Sequence, residues 1–209
     1  ITPLSDLVFG AWDPVPDNAY QSCLHCGVFD KHEHVHPIKD YLESITPMPA
    51  VFDQQYVKRL HGTNVKQGKT KRELAEALRQ DIRDFKQKTG VARCVIVWCA
   101  STEIFIVAGP QHQTLEAFEA AMEANDPAIA PSMLYAYAAI MEGVPFANGA
   151  PNLSCDIPCL EKLAREKGVA IGGKDFKTGQ TMLKTVLAPM FKARMLGVAG
   201  WYSTNILGN

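Results

Sequence analysis

Apolar residues recur every three to four positions between residues 71 and 88, where Leu74, Leu78, Ile82 and Phe85 share one face and charged side chains fill the others. With Gly90 placed to cap the C-terminus, this spacing predicts an amphipathic helix. The next apolar positions are continuous instead of periodic. Ala92-Arg-Cys-Val-Ile-Val-Trp-Cys-Ala100 is a β-branched run that predicts a central strand covered on both faces. The alternation then continues, with helices predicted over residues 113–124, 131–142, 157–167 and 179–195, and strands over 169–173 and 198–203. Pro131 suits the first turn of the second of these helices, and its Tyr135, Tyr137 and flanking alanines read as core packing.

Nearer the start, residues 6–13 read as a short buried strand whose carboxyl end is Asp13, broken by Pro14. Residues 14–49 read as irregular with two helices, one of them over 20–29. Thr46-Pro-Met-Pro49 is expected to be extended without regular pairing, because each proline disfavours helix in the residue before it. Strands alternating with helices predict an α/β fold with a mostly parallel sheet, helices on both faces and right-handed crossovers. No internal repeat or low-complexity segment interrupts it.

Composition narrows the function classes. The 209 residues are 47% hydrophobic with a formal net charge of -1 and no dense Lys/Arg block, so the electrostatic footprint of a nucleic-acid binder is absent. No apolar run approaches the roughly 20 residues of a bilayer span, and no basic segment leads into a hydrophobic stretch at the start. A cytoplasmic location without membrane attachment is therefore expected. Six cysteines are too few for a disulfide scaffold of this length and read as free thiols, with Cys94 and Cys99 in the apolar strand.

The candidate chemistry gathers at strand ends. Ile171-Gly-Gly-Lys-Asp-Phe-Lys-Thr-Gly-Gln-Thr181 lies between a strand and a helix. If Thr178 caps that helix, the amides of Gly179, Gln180 and Thr181 face outward at the positive end of the dipole, where a phosphate is favoured. Lys174, Lys177 or Lys184 would neutralise its charge, and Asp175 would accept hydrogen bonds from a ribose or an amide. An ordinary capped helix after a tight turn, with Asp175 only pairing to lysines, accounts for the same residues. Trp98-Cys-Ala-Ser-Thr-Glu103 ends the best strand, and open α/β sheets bind ligands outside such ends. Ser101 and Thr102 are thus placed either to touch a cofactor or to satisfy local backbone. Cys23-Leu-His-Cys26, with His32, His34 and His36 after it, begins like a zinc site but lacks the second spaced pair of a zinc finger. A helix with its polar side in water and histidines in a solvated loop is the preferred reading, and no metal is expected. Neither GxGxxG nor GxxxxGK[ST] is present, so spacing alone does not establish dinucleotide binding.

Several of these segments, taken in order, resemble the myo-inositol-1-phosphate synthase family. They are Phe9-Gly-Ala-Trp-Asp13, Arg79-Gln-Asp-Ile-Arg-Asp-Phe85, Val97-Trp-Cys-Ala-Ser-Thr-Glu103, Ala130-Pro-Ser132, Glu142-Gly-Val-Pro145, Asn148-Gly-Ala-Pro151, the residues 173–181 and the closing Tyr202-Ser-Thr-Asn-Ile-Leu-Gly-Asn209. Leu187-Ala-Pro-Met-Phe191 is similar to the prokaryotic branch. The resemblance implies a Rossmann-like NAD-binding domain over residues 1–180, with 181–209 opening an α+β catalytic and tetramerisation domain. It implies an isomerase of inositol and phospholipid biosynthesis: NAD oxidises C5 of glucose 6-phosphate, enolisation and aldol closure follow, and the ring ketone is reduced.

By the same resemblance, Asp13 meets the adenosine ribose, Ala100, Ser101 and Thr102 line the dinucleotide, and Gly149 passes close to it. Asp175, Thr178 and Asn209 lie near the nicotinamide end. Gly179, Gln180 and Thr181 cradle the substrate phosphate. The family's glycine-rich loop and most of its catalytic lysines are expected before Ile1 and after Asn209. Lys177 and Lys184 are the catalytic candidates within the chain, without replacing those lysines, so this polypeptide alone is expected to be inactive. Two other classes compete: a non-catalytic nucleotide- or phosphate-binding module, and a zinc-stabilised interaction domain built on Cys23 and Cys26.

Overall fold

The computed structural model describes residues 2–176 and 179–201, with backbone alone for 179–182. In chain order, β1 (Trp12–Asp13) leads through α1 (Ala19–Cys26) and α2 (Lys39–Ser44) to β2 (Met48–Pro49). Then α3 (Lys71–Thr89) precedes β3 (Ile96–Trp98), and α4 (Leu115–Glu123) and α5 (Pro131–Met141) precede β4 (Phe146–Asn148). Finally α6 (Pro158–Lys167) leads to β5 (Ile171–Gly172), and α7 (Gly179–Ala193) follows. Every strand pairing is parallel. β1 pairs with β2, while β3, β4 and β5 lie side by side with Ile96 opposite Phe146 and Phe146 opposite Ile171.

The helices begin and end where their sequences dictate. Thr70 and Thr114 accept amide hydrogen bonds from Glu73 and Ala117 at the starts of α3 and α4. Gly90 and Gly168 take left-handed conformations at φ 68° and 66° to close α3 and α6. Pro131 and Pro158 occupy first turns, whose amides have no intrahelical partner to lose. α5 differs from the rest in being apolar all round, and every residue from Pro131 to Ile140 is buried. It packs against α3 on one side and α6 on the other, with Leu78, Phe118, Met122, Phe146 and Leu160 closing the core around it.

Polar ties hold the periphery to this core. The Asp81 carboxylate on α3 accepts from the Trp12 indole N–H at 2.6 Å and from the Lys66 ammonium at 2.8 Å, fixing β1 against α3. Glu142, just past α5, receives Arg79 at 2.7 Å and Arg83 at 2.9 Å. Among the described residues no helix is long and apolar enough to cross a membrane.

Several expectations are corrected. The strand expected over 6–13 narrows to Trp12–Asp13, since Leu7, Val8 and Phe9 are exposed and meet no partner strand among the described residues. The segment expected to be extended but unpaired supplies β2, because Met48 donates its amide to the Ala11 carbonyl at 2.8 Å and Pro49 needs no donor at the outer edge. The strand over 92–100 contracts to Ile96–Trp98 and is not covered on both faces. Ile96 and Trp98 pack on the core, whereas Val95 and Val97 are 64% and 48% exposed, as strand alternation demands when only one face meets helices. Residues 198–201 form no strand, and the remainder of the strand expected to 203 lies outside the described residues. The helix expected over 20–29 stops at Cys26, where Gly27 turns left-handed.

Replacing Asp81 by Ala leaves the Trp12 and Lys66 donors half-buried without their acceptor. The substitution should lower unfolding free energy by about 2–4 kcal/mol. Asp84→Ala, on the exposed face of the same helix, should stay within about 0.5 kcal/mol. Urea unfolding of the two variants measures the contrast.

Candidate functional site

A cavity of about 800 Å³ runs along β1 and β3, from Gly10 and Cys94 before the strands to Asp13 and Ser101 at their carboxyl ends, a volume ordinary for a cofactor or small-molecule site. Its wall is aromatic on the inner side. Tyr135 of α5 stands edge-on to Trp12 at 5.3 Å between ring centres and tilted against Trp98 at 5.1 Å, so one side chain joins the ends of the two sheets. The Tyr135 hydroxyl accepts the Val51 amide at 2.8 Å, and burial raises its ionisation well above the ordinary phenol range. The indole N–H of Trp98 is buried with no partner among the described residues.

Asp13, Ala100 and Ser101 meet in this cavity from positions far apart in sequence. Asp13 is held by a turn in which its Oδ1 accepts the Val15 amide at 2.8 Å, and its carbonyl receives the Asn64 side-chain amide at 2.9 Å. Thr102 is exposed and does not line the cavity. Gly149 and Asp175 form a neighbouring group at the end of β4. The Gly149 amide bonds to the Trp98 carbonyl at 2.8 Å, the Asp175 amide to the Asn148 carbonyl at 3.2 Å and the Phe176 amide to the Gly149 carbonyl at 3.0 Å. The Phe176 ring occupies the space that a Cβ on Gly149 would fill, so glycine lets the ring of the 173–176 turn lie directly on this backbone. Lys174 reaches Asp156 at 2.7 Å.

α7 starts at Gly179, where the sequence predicts a helix N-terminus, and it includes Gln180 and Thr181. Lys177, Thr178 and Asn209 lie outside the described residues. Lys184 is exposed on α7 with its ammonium 5.6 Å from the centre of the Trp201 ring, and it does not line the cavity.

Sequence reasoning passed over the polar network beneath this floor. Glu103, 5% exposed, accepts the Ser132 amide at 2.9 Å, the Ser132 hydroxyl at 2.5 Å and the Asn152 side-chain amide at 3.0 Å. Asn152 in turn bonds to Ser132 at 3.1 Å and receives the Glu103 amide at 3.4 Å. Burial pushes the Glu103 carboxyl up to about 7, against the opposing pull of Ser132 and of Lys71. Lys71 is itself held below its ordinary range by burial while donating to the Tyr56 hydroxyl and to the Asp126 and Ile129 carbonyls. The signal was available: Glu103 is the lone carboxylate between residues 94 and 115.

The cysteine and histidine cluster does not converge. His25 pairs with Asp17 at 2.5 Å, His36 with the Tyr20 hydroxyl at 3.0 Å, and Cys26 bonds to the Cys23 carbonyl within the helix turn. No group of three or more His, Cys, Asp or Glu side chains is arranged to hold a metal among the described residues. All six cysteines are free, and burial raises Cys155 and Cys159 to about 11, away from thiolate chemistry.

Comparison with known proteins places this arrangement. A family model described as Myo-inositol-1-phosphate synthase, for an NAD-binding segment, matches residues 1–200. The inositol-3-phosphate synthase 1 of Bacteroides thetaiotaomicron is 54% identical over 100% of this chain and 49% of its own length. That of Oryza sativa is 37% identical over 98% of this chain and 40% of its own. The crystal structure of inositol-3-phosphate synthase from Caenorhabditis elegans superposes with a TM-score of 0.83 at 29% identity, covering 91% of this chain and 38% of that one. A Thermotoga maritima protein described as myo-inositol-1-phosphate synthase-related, 19% identical with a TM-score of 0.61, shares the fold. The chain thus spans half or less of the length of these relatives.

Because the Glu103 carboxyl is raised from 4.5 to about 7 in the folded protein, it favours folding fully only below pH 4.5. That contribution is lost as pH rises through 7, roughly 3 kcal/mol in all at about 1.4 kcal/mol per factor of ten. Glu103→Gln does not titrate, so the stability of wild type relative to this variant should decline between pH 5 and pH 8. Parallel curves in urea unfolding across that range would contradict the assignment.

Proposed function

This chain belongs to the myo-inositol-1-phosphate synthase family, by the match over residues 1–200, and from that premise we propose that it is the nucleotide-binding part of an NAD-dependent isomerase that converts D-glucose 6-phosphate to 1D-myo-inositol 3-phosphate. What carries the reading is the cavity along the parallel strands β1 and β3, whose carboxyl-end lining brings together Asp13, Ala100 and Ser101, the end at which dinucleotides bind in open α/β sheets. NAD held there would supply reversible hydride transfer to and from the sugar, with none consumed overall.

The residues of this chain hold and orient. Asp13 accepts from the adenosine ribose hydroxyls, and Ala100 and Ser101 line the dinucleotide. Trp12, Trp98 and Tyr135 give that space an apolar wall that excludes water. Gly149 and the turn bearing Asp175 approach from the β4 side, and Asp175 with Thr178 and Asn209 faces the nicotinamide end. The opening turn of α7, through Gly179, Gln180 and Thr181, receives the substrate phosphate on the amides of a helix N-terminus. Lys177 and Lys184 add positive charge and are the catalytic candidates of this segment.

The remaining half of the relatives' length supplies the groups that move the enolisation protons, a contribution of about 10²–10⁴ in rate. Residues 1–180 form the nucleotide-binding part and 181–209 lead into a catalytic and tetramerisation part. The natural protein is a cytoplasmic homotetramer feeding inositol and phospholipid biosynthesis. The relatives' names support the inositol phosphate product, and the family resemblance of the chain supports the rest.

The natural full-length protein, given glucose 6-phosphate and NAD, should form inositol phosphate without accumulating NADH. The 209-residue chain alone should form none. Absence of inositol phosphate from the full-length protein, with NAD binding retained, would favour a non-catalytic binding module.

A further inference from the structure

Three loops meet beneath the cavity, and one buried carboxylate touches all of them. Glu103 belongs to the turn after β3 that carries Ala100 and Ser101. Its oxygens take the Ser132 amide and hydroxyl in the first turn of α5, and the Asn152 side chain in the loop after β4. Asn148 extends the chain of bonds, donating to the Asn152 carbonyl at 2.9 Å and accepting the Ala150 amide at 2.9 Å, so Gly149 sits inside the same lattice. Ser132, Asn148 and Asn152 are all buried, so water offers these groups no alternative partner.

The charge state of Glu103 decides how many donors it holds. As a carboxylate it accepts three at once, two of them on Oε2. Once protonated on Oε2 it must donate, and the acceptor in reach is the Ser132 hydroxyl, which already receives Asn152. The Ser132 proton then loses its acceptor and the Asn152 bond to Oε2 weakens.

We propose that Glu103 is a positioning residue for the dinucleotide, whose ionised carboxylate locks the Ala100–Glu103 turn to the start of α5 and to the loop after β4. This rests on the NAD-binding reading above. Cofactor affinity therefore rises as Glu103 ionises, and by linkage NAD binding draws a proton off it. The groups that face this carboxyl are Lys71 from α3, which favours its ionisation, and the neutral phenols of Tyr56 and Tyr135, whose ionisation Glu103 opposes. Asp53 and Asp126 act on Lys71 and Tyr56. Tyr56, raised by burial to about 12, stays uncharged across the range at issue.

The test measures NAD dissociation constants for the natural full-length protein and its Glu103→Gln and Ser132→Ala variants from pH 5.5 to 8.5, by calorimetry without substrate. Hydrogen exchange at residues 100–104 is followed in the cofactor-free proteins. Wild type should bind NAD more tightly above pH 7 than below. Glu103→Gln should bind about tenfold more weakly at pH 8 with a flat profile, because its amide hydrogens face the Asn152 donor. Exchange at 100–104 should quicken while α3 stays protected. Ser132→Ala, which keeps the backbone amide and removes the hydroxyl, should retain the pH dependence with a smaller loss, and it carries the test should Glu103→Gln not fold. Wild-type binding that is flat in pH, or a Glu103→Gln profile within twofold of wild type, overturns the proposal alone. Failure of wild type to bind NAD overturns the functional reading, and this proposal with it.

Discussion

A helix apolar around its whole circumference must be enclosed on every side, and α5 sets that demand for this fold. Its buried run from Pro131 to Ile140 leaves no solvent-facing stripe, so α3, α4, α6 and the inner face of the sheet are arranged around it. Enclosure then creates a second demand. The first amides of a helix have no intrahelical acceptor, and the residue preceding α5 is Ala130, which offers no side-chain cap. Pro131 removes one donor, and Glu103 reaches in from the β3 loop to accept the next. The negative group lies at the positive end of the helix dipole, which partly offsets the cost of burying it. The same contact that completes the core therefore fixes the loop bordering the cavity.

The position of the cavity follows from the same helix. Tyr135 lies one turn along from the capped end and is large enough to touch Trp12 and Trp98 at once, so the separate two-stranded and three-stranded sheets meet over a single ring. Its hydroxyl is satisfied by the Val51 amide, which leaves the ring faces to shape the pocket. Asp81 sets the other end of the wall by orienting the Trp12 indole from α3. Packing thus places Asp13 and Ser101 across one space, although 87 residues of sequence numbering, 14 to 100, lie between them.

Much of this was legible in the sequence because local rules agreed with the fold. The helices over 71–89 and 158–167 carry periodic apolar positions, a threonine or proline start and a glycine end, that over 131–141 is marked by Pro131 at its start, and the bounds of all three emerged within a residue or two. The strands were harder. A run such as Ala92–Ala100 states that it is apolar, but not which face meets a helix, and pairing reduced it to Ile96–Trp98 with Val95 and Val97 turned outward. β2 was missed because two prolines suggested an unpaired segment, whereas a parallel edge pairing requires only the Met48 amide. Glu103 was overlooked for a related reason. A carboxylate after a strand reads as a solvent-facing loop residue, and only the three-dimensional meeting of Ser132 and Asn152 gives it partners in the interior.

Gly149 shows how a small residue carries positional information further along the chain. The Phe176 ring occupies the volume that any Cβ at 149 would claim, and the amides of Asp175 and Phe176 bond to the Asn148 and Gly149 carbonyls. The turn after β5 is therefore registered against the end of β4 by backbone bonds on one side and by ring contact on the other. A larger residue at 149 would displace the half-exposed Phe176 ring from this contact. The Glu103 network holds Asn148 and Ala150 on either side of the same glycine, so the lattice beneath the cavity and the turn bearing Asp175 share one stretch of backbone.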